Sequence, residues 1–369
     1  MGVADRQGRL RSRMQTEGLD GLLITNLTNI RYLTGFAGTN GYVLVTSDAT
    51  RFVTDGRYAT QASQMVKEAE ITICTTHAAV VELLNSLARQ HHLERVGYEA
   101  THVTVASRGA AWEPPPGLDK VMGYFEGAEL VATQGWVEEL RKVKDAEEIA
   151  SIRAAAQMGD AGFEYILERV KPGVTERELA LDLEFHLRSL GSEGVSFDPI
   201  VAAAERSALP HARPSDRTVE RGHYLLFDFG CVVEGYCSDM TRTVVVGSVD
   251  DRHREVYQTV LESQIAGLEA AGPGVACGDV DKVARKVIER AGYPEAFMHG
   301  LGHGVGLEIH EAPSLKTGFP EQLAPGHVIT VEPGAYFEGW GGVRVEDLAV
   351  VTETGLEVLS NAPKDLIVL

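Results

Sequence analysis

The chain has no run of 18 or more apolar residues, so it offers no candidate for a membrane-crossing helix. Cysteine is scarce. Cys74, Cys231, Cys237 and Cys277 are the only four in 369 residues, and none forms a Cys-x-x-Cys pair. That excludes a disulfide framework and suits a reducing compartment. Cys231 and Cys237 could pair across a hairpin, but two semi-buried thiols are the simpler reading. Positive charge is also short: 34 Lys and Arg stand against 53 Asp and Glu, a net charge of −19. Such a surface repels phosphate backbones and anionic lipids, so neither nucleic acid nor membrane is expected as a partner. The opening MGVADRQGRLRSRM has no apolar core of a signal peptide, and Arg6 stands where a myristoylation motif needs Ser or Thr. A cytoplasmic protein is expected.

What is present is ordinary in bulk, with 44% apolar and 24% charged residues, and long enough for two domains. In the first third, short branched apolar runs at 22–25 (LLIT), 42–46 (YVLVT) and 51–54 (RFVT) are separated by turn residues and by helical stretches such as Ala79–Gln90. This predicts a mixed α/β domain without a cluster of catalytic residue types. The Asn/Thr/Gly-rich stretch Phe36–Gly41 reads as a turn, with a ligand loop as the alternative. EPPPG at 113–117 is a stiff connector. The expected division is 1–130 and 131–369.

From about residue 145 the chain repeats itself. A helix over Asp145–Val170 ends in Lys-Pro-Gly-Val (171–174). A Thr175/Glu178 capping box then starts a second helix to about Leu190. Strands follow at 224–229 and 241–246. The second pass has a helix near 252–270, Gly-Pro-Gly-Val (272–275), and a helix capped by Asp279 with its apolar face at Val280, Val283, Ala284, Val287 and Ile288. Strands at 327–332 and 343–351 close it. Pro172 and Pro273, His211 and His310, Asp228 and Glu332, Asp239 and Glu346 recur in the same order. The expected fold class is α+β, with a mixed α/β N-terminal domain before a pseudo-symmetric domain whose two halves meet at a central site.

Each half carries a pair of acids in an apolar hairpin. A turn centred between Val233 and Glu234 sets Asp228 directly opposite Asp239. A turn centred on Gly339 does the same for Glu332 and Glu346. A lone acid in a strand is most simply exposed or ion-paired. Four in matched apolar hairpins repel one another and lose hydration, and so call for cations. Four converging carboxylates suit two divalent ions. In HGLGHGVGLEIHE (299–311), the four glycines argue against a helix and for a backbone packed close to something, and His303 or His299 can add an imidazole donor. Carboxylates with His are compatible with Mn²⁺, Co²⁺, Fe²⁺ or Zn²⁺, and ligand softness does not choose among them. The repeat-related His211 and His310 could donate to an oxyanion or move a proton.

With these residues in view, the chain resembles the pita-bread metallopeptidases of the prolidase and Xaa-Pro aminopeptidase branch. NIRYLTGFAGTNG and FVTDGRY resemble the creatinase/prolidase-type N-terminal domain. SFDPIV, HARPSDR, LLFDFG, SDMTRT, HGLGHGVGLEIHE, TVEPGAY and GGVRVED resemble the catalytic motifs, in order. The resemblance implies five metal ligands, Asp228, Asp239, His303, Glu332 and Glu346, with Asp239 and Glu346 bridging two divalent ions. It implies His211, His310 and Glu332 in catalysis and His299, Arg344 and Tyr336 in substrate binding. It further implies a homodimer that cleaves before proline in peptides, by attack of a metal-bridging hydroxide, with Mn²⁺ as the expected ion and Co²⁺ or Zn²⁺ as alternatives. A non-catalytic binding module on the same fold is the alternative, and the complete ligand set weighs against it. Two features depart from the family: AAAERSALPH replaces a Gly-Pro-Asn-like loop before His211, and Leu348 follows Asp347 where a second Asp is common.

Overall fold

The computed structural model describes residues 2–102 and 123–369, so the EPPPG stretch lies outside the described residues. The chain divides into two compact units, Met1–Arg141 and Lys142–Leu369. The residues just after 130 stay with the first unit because Glu129–Thr133 pairs in parallel with Arg95–Glu99 of the N-terminal sheet.

The first unit is built on β1 (Gly21–Ile24), β2 (Tyr42–Thr46), β3 (Thr50–Thr54), β4 (Glu70–Ile73), β5 (Arg95–Glu99) and β6 (Glu129–Thr133), in sheet order β4-β3-β2-β1-β5-β6. Pairs β1/β2 and β2/β3 are antiparallel; β1/β5, β5/β6 and β3/β4 are parallel. The helix His77–Gln90 starts where the Thr76 hydroxyl accepts from the Ala79 N–H. It buries Val80, Leu84, Leu87 and Ala88 against Leu23, Leu44, Val53 and Val96 of the sheet. Phe36–Gly41 forms no regular element, and Phe36 is buried.

The second unit repeats one design. The helix Ala146–Leu167 opens with an Asp145/Glu148 capping box, and the helix Glu176–Ser189 with the Thr175/Glu178 box. They pack on a sheet of β8 (Ile200–Ala203), β9 (His223–Phe229) and β12 (Met240–Val246), through Phe163, Leu183, Leu187, Val201, Phe227 and Val244. A smaller sheet holds β7 (Gly194–Val195), β10 (Cys231–Val233) and β11 (Tyr236–Cys237). In the second half the helices Asp251–Ala270 and Cys277–Arg290 accompany β13 (Gly302–Gly304), β14 (Glu311–Leu315), β15 (Val328–Val331), β16 (Gly334–Phe337), β17 (Gly341–Arg344), β18 (Asp347–Val351) and β19 (Leu356–Val358). Their sheet order is β14-β13-β15-β18-β19, with β16-β17 as a separate ribbon.

Three expectations need correction. Asp279 lies inside the first turn of its helix; the cap position is Ala276, which offers no side-chain acceptor. On that helix Val280, Ala284 and Ile288 are buried, but Val283 is exposed. The first acidic hairpin is also centred one residue further on. Val232 pairs with Cys237, Val233 with Tyr236, and Asp228 with Thr241 rather than Asp239. The reason is the turn. Glu234 and Gly235 both have positive φ, 50° and 80°, the mark of a two-residue type I′ turn that suits strand twist. Moving the centre by one residue moves every partner by two, which keeps the side chains on the same face. Asp228 and Asp239 therefore approach along a diagonal. In the second hairpin Gly334 pairs with Arg344 and Val331 with Asp347, about a turn at Gly339. That register sets Glu332 and Glu346 opposite each other between the two ladders.

Cys231 and Cys237 are both free and buried, with burial pushing their thiols up to about 11 and about 12.

Candidate metal centre

The two halves of the second unit join along β12 and the β17–β18 segment. The Glu346 N–H donates to the Thr241 carbonyl at 3.1 Å. The Thr243 hydroxyl donates to the Arg344 carbonyl at 3.0 Å and accepts the Arg344 N–H at 3.2 Å. This seam carries the acids of both halves into one cavity of about 480 Å³, lined by Asp228, Asp239, His303, Glu332 and Glu346.

Donor atoms of Asp239, His303 and Glu346 all lie within 4.8 Å of one another. His303 Nε2 is 3.5 Å from Asp239 Oδ2 and 3.4 Å from Glu332 Oε1. The other ring nitrogen, Nδ1, is 3.0 Å from the Gly304 carbonyl, which favours Nδ1–H as donor and leaves Nε2 facing the acids. Thr330 secures this side twice: its hydroxyl accepts the His303 N–H at 3.0 Å and donates to Glu332 Oε1 at 3.3 Å. On the other side the Thr241 hydroxyl donates to Glu346 Oε2 at 2.6 Å. Neither threonine stood out in the sequence, since an isolated Thr in a strand is unremarkable until its partner is known.

Electrostatics tell the same story. Burial, then the charge of Glu346, Asp228 and Glu332, raises Asp239 well above the usual carboxylate range. Burial followed by Glu332 and Asp228 raises Glu346 in the same way. Burial pushes Glu332 up to about 7, with Asp228 adding to it. Desolvated carboxylates this close are stable either protonated or around a cation. A donor set of carboxylate oxygens and one imidazole fits divalent metal.

His211, His299, His310 and Arg344 line the same cavity, and Tyr336 lies behind it. Arg344, buried, donates to Asp228, to the Tyr336 oxygen at 2.8 Å and to the Thr241 hydroxyl at 3.0 Å. Tyr336 lies 2.9 Å from His299 Nε2. Burial and the nearby Arg344 drop His299 to about 4, and its Nδ1 sits 2.8 Å from the Gly300 carbonyl. A neutral ring with Nδ1–H on that carbonyl accepts the Tyr336 O–H at Nε2, giving a directed chain from Arg344 through Tyr336 to His299. His310 is exposed at the cavity edge, its ring edge-on to His303 at 4.4 Å. Burial of part of the ring and the neighbouring His303 lower its pKa. His211, also exposed, lines the same cavity. Under the His310 loop, Glu311 accepts from Lys144 Nζ at 3.1 Å and from the Glu308 N–H at 3.0 Å, with both charged side chains almost fully buried.

Buried carboxylates and an imidazole, drawn from both halves of a duplicated α+β scaffold, make a candidate site for divalent metal. Residues 150–353 match the profile of metallopeptidase family M24, and residues 6–143 that of the creatinase/prolidase N-terminal domain. The chain belongs to metallopeptidase family M24 and is a peptidase. It is 39% identical to a solved Xaa-Pro dipeptidase from Bacillus anthracis, with TM-score 0.92 and all of both chains covered. An X-Pro aminopeptidase structure from Thermotoga maritima matches at 34% identity and TM-score 0.88, over 97% of this chain and 100% of that one. The Xaa-Pro dipeptidase of Pyrococcus furiosus is 34% identical over 99% of this chain and 100% of its own. The second unit accordingly has the pita-bread fold that its motifs suggested. Among the described residues, no helix is long and apolar enough to cross a membrane.

Proposed function

We propose that this protein hydrolyses the peptide bond before proline, in Xaa-Pro dipeptides or at the N-terminus of longer peptides, with two divalent ions. The observation that carries the reading is the convergence of Asp239, His303 and Glu346 donors within 4.8 Å, in one cavity with Asp228 and Glu332. Asp239 and Glu346 would bridge both ions, Asp228 would hold one, and His303 with Glu332 the other. When bound, the ions supply a water of lowered pKa as nucleophile and polarise the carbonyl.

The chain's own residues do the rest. Glu332 takes the proton released on attack and passes it toward the leaving nitrogen. A prolyl amide is tertiary and has no N–H, so the nitrogen must gain its proton from the site. His310, with its lowered pKa, is neutral at pH 7 and can donate an N–H to the developing oxyanion, with His211 steadying the substrate from the other half. Arg344 and His299, which line the cavity, form the wall that receives the pyrrolidine ring and its carbonyl or carboxylate, and Tyr336, buried outside that lining, ties the two together. Mn²⁺ is the proposed ion, the cytoplasm the proposed location, and a homodimer the proposed assembly, with the N-terminal domain limiting substrate length.

The test is turnover of Ala-Pro, Ala-Pro-Ala and Ala-Ala by metal-depleted protein reloaded with Mn²⁺, Co²⁺ or Zn²⁺. Cleavage of the proline peptides well above Ala-Ala, and only with metal, is expected. Equal rates on Ala-Ala would remove the proline assignment. No turnover with any ion would leave a binding module.

A further inference from the structure

One ion pair of the second unit has a geometry its helix does not need. The helix Cys277–Arg290 carries an ordinary exposed pair, Lys282 with Asp279 at 2.8 Å, of the sort that contributes little. On an adjacent face of the same turns, Asp281 and Arg285 differ. The Asp281 side chain is fully buried, and Arg285 holds it through Nε at 3.2 Å and Nη2 at 3.0 Å. Both residues then reach off the helix onto a single stretch of loop. Arg285 Nη1 donates to the Phe297 carbonyl and Nη2 to the His299 carbonyl, each at 2.7 Å. Asp281 Oδ1 accepts the Leu301 N–H at 3.0 Å, and its Oδ2 accepts from the Thr317 hydroxyl. The guanidinium also lies 4.1 Å from the centre of the Phe297 ring, which packs edge-on against the His299 ring.

The loop so held contains His299, and its far end reaches the acids. The Leu301 carbonyl accepts the Glu332 N–H at 2.8 Å. Gly300 leaves little slack: a Cβ there would stand 3.1 Å from the Leu315 carbonyl. Neither Asp281 nor Arg285 lines the cavity. We propose that Asp281 and Arg285 are positioning residues for the proline-binding wall, setting the 297–301 backbone and through it the plane of the His299 ring against Tyr336. This rests on the assignment of His299, Tyr336 and Arg344 to substrate above. The planar fork is what the role requires. A guanidinium can grip one carboxylate and two carbonyls at once, whereas a lysine has the charge without the geometry.

The experiment compares Mn²⁺-loaded wild type, Arg285→Gln, Arg285→Lys and Asp281→Asn. It measures bound metal, thermal midpoint, kcat and KM for Ala-Pro, and inhibition by L-proline. Arg285→Gln and Asp281→Asn should weaken L-proline inhibition and raise KM by about tenfold or more, with metal content unchanged, because small displacements of a binding group are costly. Arg285→Lys should recover only part of the loss. In a His299→Ala background, Arg285→Gln should add little, since the ring it positions is gone. A lower thermal midpoint with unchanged L-proline inhibition would make the pair a stability anchor and overturn the proposal. So would an equal loss with and without His299. If the Gln variant does not fold, the Lys and Asn variants carry the same comparison. A wild type that is not inhibited by L-proline and does not prefer Ala-Pro to Ala-Ala fails the functional reading itself, which separates the two failures.

Discussion

At the scale of single residues, the site separates groups whose loss should remove metal from groups whose loss should spare it. Asp239→Asn or Glu346→Ala should abolish both bound metal and nearly all turnover, since these carboxylates are proposed to serve both ions. His310→Ala should keep its metal, measured by elemental analysis, and lose on the order of 10²–10³ in kcat, the usual cost of one oxyanion donor. Metal loss in the His310 variant would move that ring into the ligand set. The raised carboxylates also set a pH dependence for the metal-free protein. Glu332 binds its proton up to about pH 7 when folded, against 4.5 ordinarily. The stability this contributes is full below the ordinary value and is lost as pH rises through about 7. Asp239 and Glu346 shift the same way. The unfolding midpoint of chelator-treated protein should therefore fall between about pH 5 and 8, and added Mn²⁺ should remove that slope, because metal binds the deprotonated acids. A midpoint that rises over that range in chelator would contradict the buried cluster.

At the scale of elements, the glycines of the histidine segment are there for contact. A Cβ on Gly302 would stand 2.0 Å from the Thr330 carbonyl, and one on Gly304 2.2 Å from the Ala312 carbonyl. These close approaches let β13 lie between β14 and β15, with His303 facing the acids. Gly302→Ala must push β13 off β15, at a cost of about 1–3 kcal/mol for overpacking. It should weaken metal binding as well as lower the thermal midpoint, because Thr330 holds both His303 and Glu332. A variant destabilised by that amount with unaltered metal affinity would show that the His303 position does not depend on the strand.

At the scale of the whole molecule, all five proposed ligands, the accessory histidines and Arg344 lie in Lys142–Leu369. The first unit supplies none of them. Its proposed contribution is to assembly and substrate length. A chain shortened to begin at Lys142 should keep metal binding but lose stability or its preference among Ala-Pro, Ala-Pro-Ala and Ala-Ala. Mass in solution checks the accompanying proposal of a homodimer. A monomeric full-length protein with full activity would remove the assembly proposal and leave the chemistry standing.

Local rules made most of the elements legible. Short, near-continuous apolar runs wrote β1, β2, β3, β9 and β12, the Thr175/Glu178 box wrote its helix, and the duplicated Pro-Gly-Val signal with the recurring His211 and His310 wrote the two halves. The acids and histidines could be named because apolar strands seldom carry carboxylates without a reason. The register of the second hairpin was legible about Gly339, but that of the first was not, because it depended on Glu234 taking positive φ, a choice made by the turn and its strands together. Nor were the roles of Thr241, Thr330, Asp281 and Arg285, each of which holds a partner on another element: Glu346, His303 and the 297–301 loop. A hydrogen bond has no signature in one residue alone, so only the tertiary structure could decide which side chains hold the site in place.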